Sequence, residues 1–160
     1  MGFGETRSRA LAAIGAPIRV YLGGVFVLAS LHKIQEPYEF ALSVATYQIL
    51  PLPAVNLFAI FLPWLELITG GLLIAGVWTR ANALLILGML IMFTTSLGIA
   101  LARGYQMSCG CFASQEAAEQ IGTGTLVRDI LWVLLAAYVL LLDDGRFGLD
   151  RFLRRRTSHA

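Results

Sequence analysis

The chain has 160 residues, of which 58% are apolar and only 14% are charged, with a net charge of +2. Soluble domains carry roughly 25% charged residues, so this composition excludes an ordinary soluble fold. The basic cluster 154–156 suits the anionic head groups of a membrane better than nucleic acid, and nucleic acid is not expected as a partner.

Four stretches are long and apolar enough to cross a bilayer, whose ~30 Å hydrocarbon layer requires about 20 apolar residues per helix. They cover residues 17–34, 54–78, 81–102 and 126–142. The sequence therefore predicts an all-α fold, an integral membrane four-helix bundle over residues 17–142. Residues 1–16 are expected to form a cytoplasmic N-terminal segment, with the first span as an uncleaved signal anchor. Residues 143–160 form a basic cytoplasmic tail.

The link between the first two spans, residues 35–53, combines turn-forming prolines with a short helical pattern. The apolar residues Phe40, Val44, Tyr47 and Leu50 recur at helical spacing. An amphipathic helix of this kind commonly lies in the membrane interface. We therefore expect the segment to lie along the membrane surface with its aromatic side chains in the interface.

The distribution of basic residues predicts the orientation of the bundle. Four spans place both chain ends on one side, and that side carries nine Lys and Arg residues against three on the other. The nine are Arg7, Arg9, Arg19, Arg80, Arg146, Arg151, Arg154, Arg155 and Arg156; the three are Lys33, Arg103 and Arg128. The side richer in Lys and Arg is cytoplasmic, which predicts an N-in/C-in protein of a bacterial-type inner membrane. The loop after the third span then faces the periplasm or exterior.

Two charged residues of the spans are candidates for function or for packing. Glu66 lies near mid-membrane, and an ionisable residue at that depth is by default a functional hypothesis. Its alternative role is a hydrogen bond that fixes helix packing. Lys33 stands at the outer end of the first span, where we expect it to snorkel to the interface unless it approaches Glu66.

Smaller features of the helices have structural interpretations. Gly23 and Gly24, in the first span, allow neighbouring helix backbones to approach closely. Arg128 and Asp129 are expected to cap the outer start of the fourth helix, where an acid suits the positive end of the helix dipole.

The two cysteines, Cys109 and Cys111, lie in the string MSCGCFA after the third span. A disulfide across one glycine closes a very small ring, and strained or exposed disulfides tend to be labile or catalytic. A metal site would require about four ligands, and the other candidates are His32 and the far-side His159, so no metal is expected. Inert thiols and a bridge that only stiffens the loop remain alternatives to a redox pair.

Arg103 precedes Cys109 by six residues. A nearby cation lowers the pKa of a thiol and increases its thiolate fraction. Arg103 is therefore a candidate functional residue, although an arginine at a helix boundary is commonly an interface anchor.

Several segments resemble the MauE branch of the DoxX-like membrane proteins. They are SLHKI, PYEFALSVATYQILP, PWLELITGGLLIAGVWTRANA and, most specifically, SCGCF. The resemblance covers roughly residues 17–142. It implies a four-helix membrane protein associated with thiol or quinone redox chemistry, often an accessory to the maturation of an exported protein. The name-giving member is linked to the making of methylamine dehydrogenase, a disulfide-rich periplasmic enzyme.

These observations lead to one main hypothesis and two rivals. The main one is a thiol–disulfide oxidoreductase in which Cys109 and Cys111 pass electrons from an exported client or partner to a membrane carrier such as quinone, with Glu66, Lys33 and Arg103 as candidate quinone-binding residues. No intrinsic cofactor is expected. A protein partner is expected on the outer face. The first rival is a non-catalytic accessory subunit that assembles with a larger membrane complex through glycine-lined helix faces. The second is a solute or proton carrier built around Glu66.

Overall fold

The computed structural model describes residues 3–49, 51–104 and 123–143. Within these ranges the backbone forms five α-helices and no strand. The helices are α1 Phe3–Gln35, α2 Pro37–Thr46, α3 Leu52–Ala75, α4 Thr79–Ala102 and α5 Thr123–Leu142.

Four of these helices are long and apolar enough to cross a membrane: Ile14–Gln35 within α1, and the whole of α3, α4 and α5. Large apolar side chains are exposed along them, as lipid contact requires. The predicted all-α membrane bundle is confirmed. The helix bounds differ from the predicted spans by a few residues, and α1 begins at Phe3, well inside the segment expected to precede the first span.

The four long helices pack in a closed ring. α1 packs against α3 and α5, and α4 packs against the same two helices. α2 lies across α3 and touches α1. The buried core between the long helices consists mainly of apolar side chains: Leu22, Phe26, Leu73, Ala83, Ile86, Met89, Leu90, Ala136 and Val139.

The turn between α3 and α4 reverses the chain in three residues. Gly76 ends α3 in the left-handed conformation, with φ at 69°, which glycine adopts without a steric penalty. Trp78 is also left-handed, with φ at 47°. The side-chain amide of Asn82 donates to the carbonyl oxygens of Val77 at 2.8 Å and Trp78 at 3.3 Å. This side chain thereby holds the turn that makes α3 and α4 antiparallel neighbours.

Two glycines bring α1 and α3 into backbone contact. A Cβ added to Gly23 would lie 2.7 Å from the carbonyl oxygen of Gly70, and one added to Gly70 would lie 2.9 Å from that of Gly23. A Cβ added to Gly24 or to Gly71, the next residue along each helix, would have no neighbouring atom within 4 Å. The packing interpretation therefore holds for Gly23, and its partner is Gly70.

The structure corrects the expected surface position of the aromatic residues in the first link. Phe40 and Tyr47 are each only 8% exposed, because the face of α2 that carries them packs inward on the bundle. The opposite face is exposed at Tyr38 and Leu42. The apolar face of α2 is covered by protein, and the prediction of an interface position is wrong for Phe40 and Tyr47. Leu50 lies outside the described residues.

The glycine contact yields a first prediction. Gly70→Ala forces α1 and α3 apart, and overpacking of this kind costs about 1–3 kcal/mol. We expect a lower thermal unfolding midpoint in detergent. Gly71→Ala, the matched control, meets open space and should leave the midpoint unchanged or slightly raised. Equal destabilisation by the two substitutions would refute the close α1–α3 contact.

Candidate functional site

A buried ion pair joins α1 and α3. The Lys33 Nζ donates to both carboxylate oxygens of Glu66, at 2.7 and 2.8 Å. Side chains on a helix lean toward its N-terminus. Lys33 therefore leans from the end of α1 back toward the middle of that helix, while Glu66 leans from the middle of α3 toward its N-terminal end. Because α1 and α3 are antiparallel, the two side chains lean toward each other. The two side chains therefore meet inside the bundle, with 9% and 8% of their surfaces exposed.

This pair settles the structural alternatives for the two residues. Lys33 does not snorkel to the interface, so that expectation is wrong. Glu66 does fix helix packing, and it does so through Lys33. The Lys33 Nζ also lies 5.0 Å from the centre of the Phe40 ring, within the range of a cation–π interaction. The cation thus links α2 to the α1–α3 pair.

A cavity of about 180 Å³ lies beside the ion pair, and all four long helices and α2 contribute to its wall. Its lining is mostly apolar and includes Phe26, Phe58, Met89, Phe93 and Trp132. Its polar side chains are Lys33, Ser43, Tyr47, Glu66, Ser96 and Asp129. A mainly apolar pocket with a few convergent polar groups is the usual form of a small-molecule site.

Two residues that line the cavity are also exposed on the outer surface of the bundle. Ile49, in the link after α2, is 44% exposed, and Met92 is 40% exposed. Met92 lies near the middle of α4, a membrane-spanning helix. The wall of the cavity at Met92 is therefore part of a surface that faces the hydrocarbon layer if α4 crosses the membrane.

Tyr47 presents a hydroxyl that has no hydrogen-bond partner among the described residues. Burial, and secondly the charge of Asp129, raise the pKa of Tyr47 to about 12. The two serine hydroxyls of the wall already donate hydrogen bonds to backbone carbonyl oxygens, Ser43 to that of Glu39 and Ser96 to that of Met92. Tyr47 therefore offers the cavity a neutral donor that no neighbouring protein group uses.

The structure revises the expected role of Arg128 and Asp129. Asp129 is the seventh residue of α5, beyond the first turn, and is only 1% exposed. It faces the cavity, and its Oδ1 lies 3.5 Å from the Nε of Arg128. The Arg128 guanidinium lies 4.9 Å from the centre of the Trp132 ring. The capping prediction is wrong because α5 begins at Thr123, earlier than the sequence indicated.

Of the predicted site residues, the structure brings together Lys33 and Glu66 but not Arg103. Arg103 ends α4 at the exposed surface and does not line the cavity. Cys109 and Cys111 lie outside the described residues. Sequence reasoning missed Tyr47 and Asp129 as cavity residues; the available signal was a polar group on the apolar face of each helix.

The ion pair yields a second prediction. Glu66→Gln leaves the buried Lys33 cation without its carboxylate, and removal of one partner of a buried pair costs about 3–5 kcal/mol. We expect a large loss of stability in detergent, measured by thermal unfolding. The double variant Lys33→Met/Glu66→Leu should recover much of it, because no buried charge remains.

Glu36→Gln is the matched control for this substitution, because Glu36 is exposed. It should leave the unfolding midpoint within error of the parent. A midpoint for Glu66→Gln equal to that of the control would show that the Lys33–Glu66 pair does not hold α1 to α3.

Comparisons with known proteins point to one family. The model of the family described as methylamine utilisation protein MauE matches residues 9–142. A MauE from Paracoccus denitrificans is 33% identical over 97 residues, which cover 59% of this chain and 52% of that protein. A MauE from Methylophilus methylotrophus is 26% identical over 121 residues, covering 75% and 64%. The chain thus spans between about half and two thirds of the length of these relatives, and no solved structure matches it. The match over nearly the whole membrane bundle shows that this multi-pass membrane protein belongs to the MauE family.

Proposed function

We propose that the chain is a thiol–disulfide redox protein that passes electrons from Cys109 and Cys111 to a quinone bound in the cavity. The observation that carries the proposal is a mainly apolar cavity with a few polar groups, one of whose lining residues, Met92, is exposed on a membrane-spanning helix. The apolar lining and the exposed Met92 favour a membrane-soluble ligand over a water-soluble solute.

The cavity fits the head group of a quinone in size and in chemistry. A dry cavity of about 150 Å³ is known to hold a benzene ring, so about 180 Å³ accommodates a single substituted ring. A quinone ring is apolar on its faces and has two carbonyl oxygens at its edge. The hydroxyl of Tyr47 is available to one such acceptor. We place the hydrocarbon tail of the quinone beside Met92, which is exposed on the outer surface of α4.

The reaction begins at the cysteines. A thiolate of the exported client attacks the Cys109–Cys111 disulfide, and a mixed disulfide forms as one cysteine leaves as a thiolate. The second client thiol then displaces the other cysteine, so that the client gains a disulfide and the pair becomes a dithiol. A bound quinone supplies the oxidant for the return step, in which the dithiol loses two electrons and two protons and the quinone becomes a quinol.

Chain connectivity limits the distance between the cysteines and the cavity wall at Ser96. Ser96, in the cavity wall, lies seven residues before Arg103, or about 10 Å along α4 at 1.5 Å per residue. Cys109 follows Arg103 by six residues, which limits their separation to about 21 Å. Arg103 stays a candidate for favouring the thiolate form of this pair.

We place both chain ends in the cytoplasm and the cysteine loop in the periplasm, on the Lys and Arg asymmetry, where disulfides persist. A client or partner protein then docks on the outer face. The relatives are named for methylamine utilization, and we propose maturation of an exported protein in that setting.

The redox role is tested by Cys109→Ser and Cys111→Ser. In membranes, thiol alkylation should find the parent pair oxidised after a quinone is added and reduced after the quinone is depleted. Either substitution should abolish oxidation of a co-expressed client. Ser108→Ala, in the same loop, is the control and should retain it. Client oxidation that survives both cysteine substitutions would refute the enzyme and favour an assembly subunit.

The orientation has its own test. A membrane-impermeant maleimide added to intact cells with reduced thiols should label Cys109 and Cys111. A single cysteine introduced at Ser158, in a variant without the native pair, should be labelled only after the cells are opened. Labelling in the reverse pattern would overturn the periplasmic position of the loop.

A further inference from the structure

We infer that the Tyr47 hydroxyl is the hydrogen-bond donor that recognises a carbonyl oxygen of a ring-shaped ligand in the cavity. The inference deepens the proposed function and rests on it for the choice of a quinone as ligand class. It names Tyr47 as the binding residue, a role that the sequence did not indicate.

The first support is the state of the hydroxyl itself. Tyr47 is 8% exposed, lines the cavity, and its hydroxyl has no hydrogen-bond partner among the described residues. A buried donor left without a partner loses its hydration without compensation, so such groups are uncommon in folded proteins. A ligand acceptor in the cavity would supply the missing partner.

The second support is that the other polar side chains of the wall already interact with protein groups. Lys33 donates to both oxygens of Glu66, and the serine hydroxyls bond to backbone carbonyls. Asp129 forms an ion pair with Arg128. Among these side chains, Tyr47 is the one whose hydroxyl has no hydrogen-bond partner in the described part of the chain.

The third support is the fixed position of the Tyr47 ring. The ring packs edge-on against Phe93 of α4, with centroids 6.4 Å apart and planes at 65°, an arrangement that aromatic pairs prefer. Phe93 also lines the cavity. The hydroxyl is therefore held in place before a ligand arrives, which lowers the entropy lost on binding.

The donor role follows from the protonation state. Burial and the neighbouring Asp129 charge keep the phenol neutral well above physiological pH, with the pKa of Tyr47 raised to about 12. A neutral phenol donates readily to a carbonyl oxygen. The carboxylates of the wall only accept hydrogen bonds when ionised, so they do not substitute for Tyr47 at this oxygen.

The test uses two ligands of the same shape. Duroquinone and durene share a tetramethyl-substituted six-membered ring, but only duroquinone has carbonyl oxygens. Binding is measured in the Cys109→Ser/Cys111→Ser protein in detergent, by the saturable quenching of tryptophan fluorescence for duroquinone and by its displacement for durene. Without thiols, binding is read independently of any redox turnover.

In this background, Tyr47→Phe should weaken duroquinone binding about 2-fold to 10-fold, the range expected for the loss of one hydrogen bond. Durene binding should change little, because the phenyl ring and its contact with Phe93 remain. The control Tyr38→Phe removes an exposed hydroxyl, since Tyr38 is 74% exposed, and should leave both affinities unchanged. Ala29→Phe fills the cavity and should abolish saturable binding of both ligands.

Three results would overturn the inference. The first is a Tyr47→Phe protein that binds duroquinone as tightly as its parent, and the second is a parent that shows no saturable binding. Equal weakening for duroquinone and durene would assign Tyr47 a packing role and also refute it. Tyr47-dependent binding together with client oxidation that survives the cysteine substitutions would uphold the recognition site and refute the thiol chemistry.

Discussion

The Lys33–Glu66 ion pair is the interaction on which the arrangement of the bundle depends. Either charge alone inside the membrane is costly, and together they are tolerable only at hydrogen-bonding distance. This requirement sets the register of α1 against α3, and the contact of Gly23 with Gly70 brings the two backbones close enough to meet it. The cation also holds the Phe40 ring, so α2 is drawn over the same junction and completes one wall of the cavity.

The same rule governs the other buried acids of the described residues. Asp129 forms an ion pair with Arg128, its neighbour on α5. The Oδ2 of Asp143, just after α5, lies 3.6 Å from the Nη1 of Arg19 on α1. Gly15 leaves room for this second contact, since a Cβ there would lie 3.1 Å from the Asp143 side chain. One ion pair thus ties α1 to α3 and another ties α1 to the end of α5, which fixes α1 in the ring at two places.

Hydropathy alone predicted the four spans, because the thickness of the hydrocarbon layer dictates their length. It did not predict the surroundings of α2. Periodicity identifies an apolar face but not whether lipid or protein covers it, and Phe40 and Tyr47 face protein. Glu66 and Lys33 were each recognised as unusual, yet their pairing depends on the relative register of two helices separated by a long link. A polar group on an apolar face was the signal for Tyr47 and Asp129, but periodicity does not show that five helices enclose a cavity, so the sequence assigned these residues to the interface and to a helix start.

The ion pair also limits what the cavity can do chemically. A carrier that moved protons through Glu66 would have to release and regain its charge, whereas both carboxylate oxygens accept hydrogen bonds from Lys33. The described wall therefore provides shape, apolar surface and, at Tyr47, a hydroxyl without a protein partner, all of which serve binding. Electron transfer needs a group that changes oxidation state, and in this chain the cysteine thiols have that capacity. Under the proposed function, the bundle holds a membrane-soluble acceptor, and the sulfurs that reduce it belong to the loop between α4 and α5, two of the helices that line the cavity.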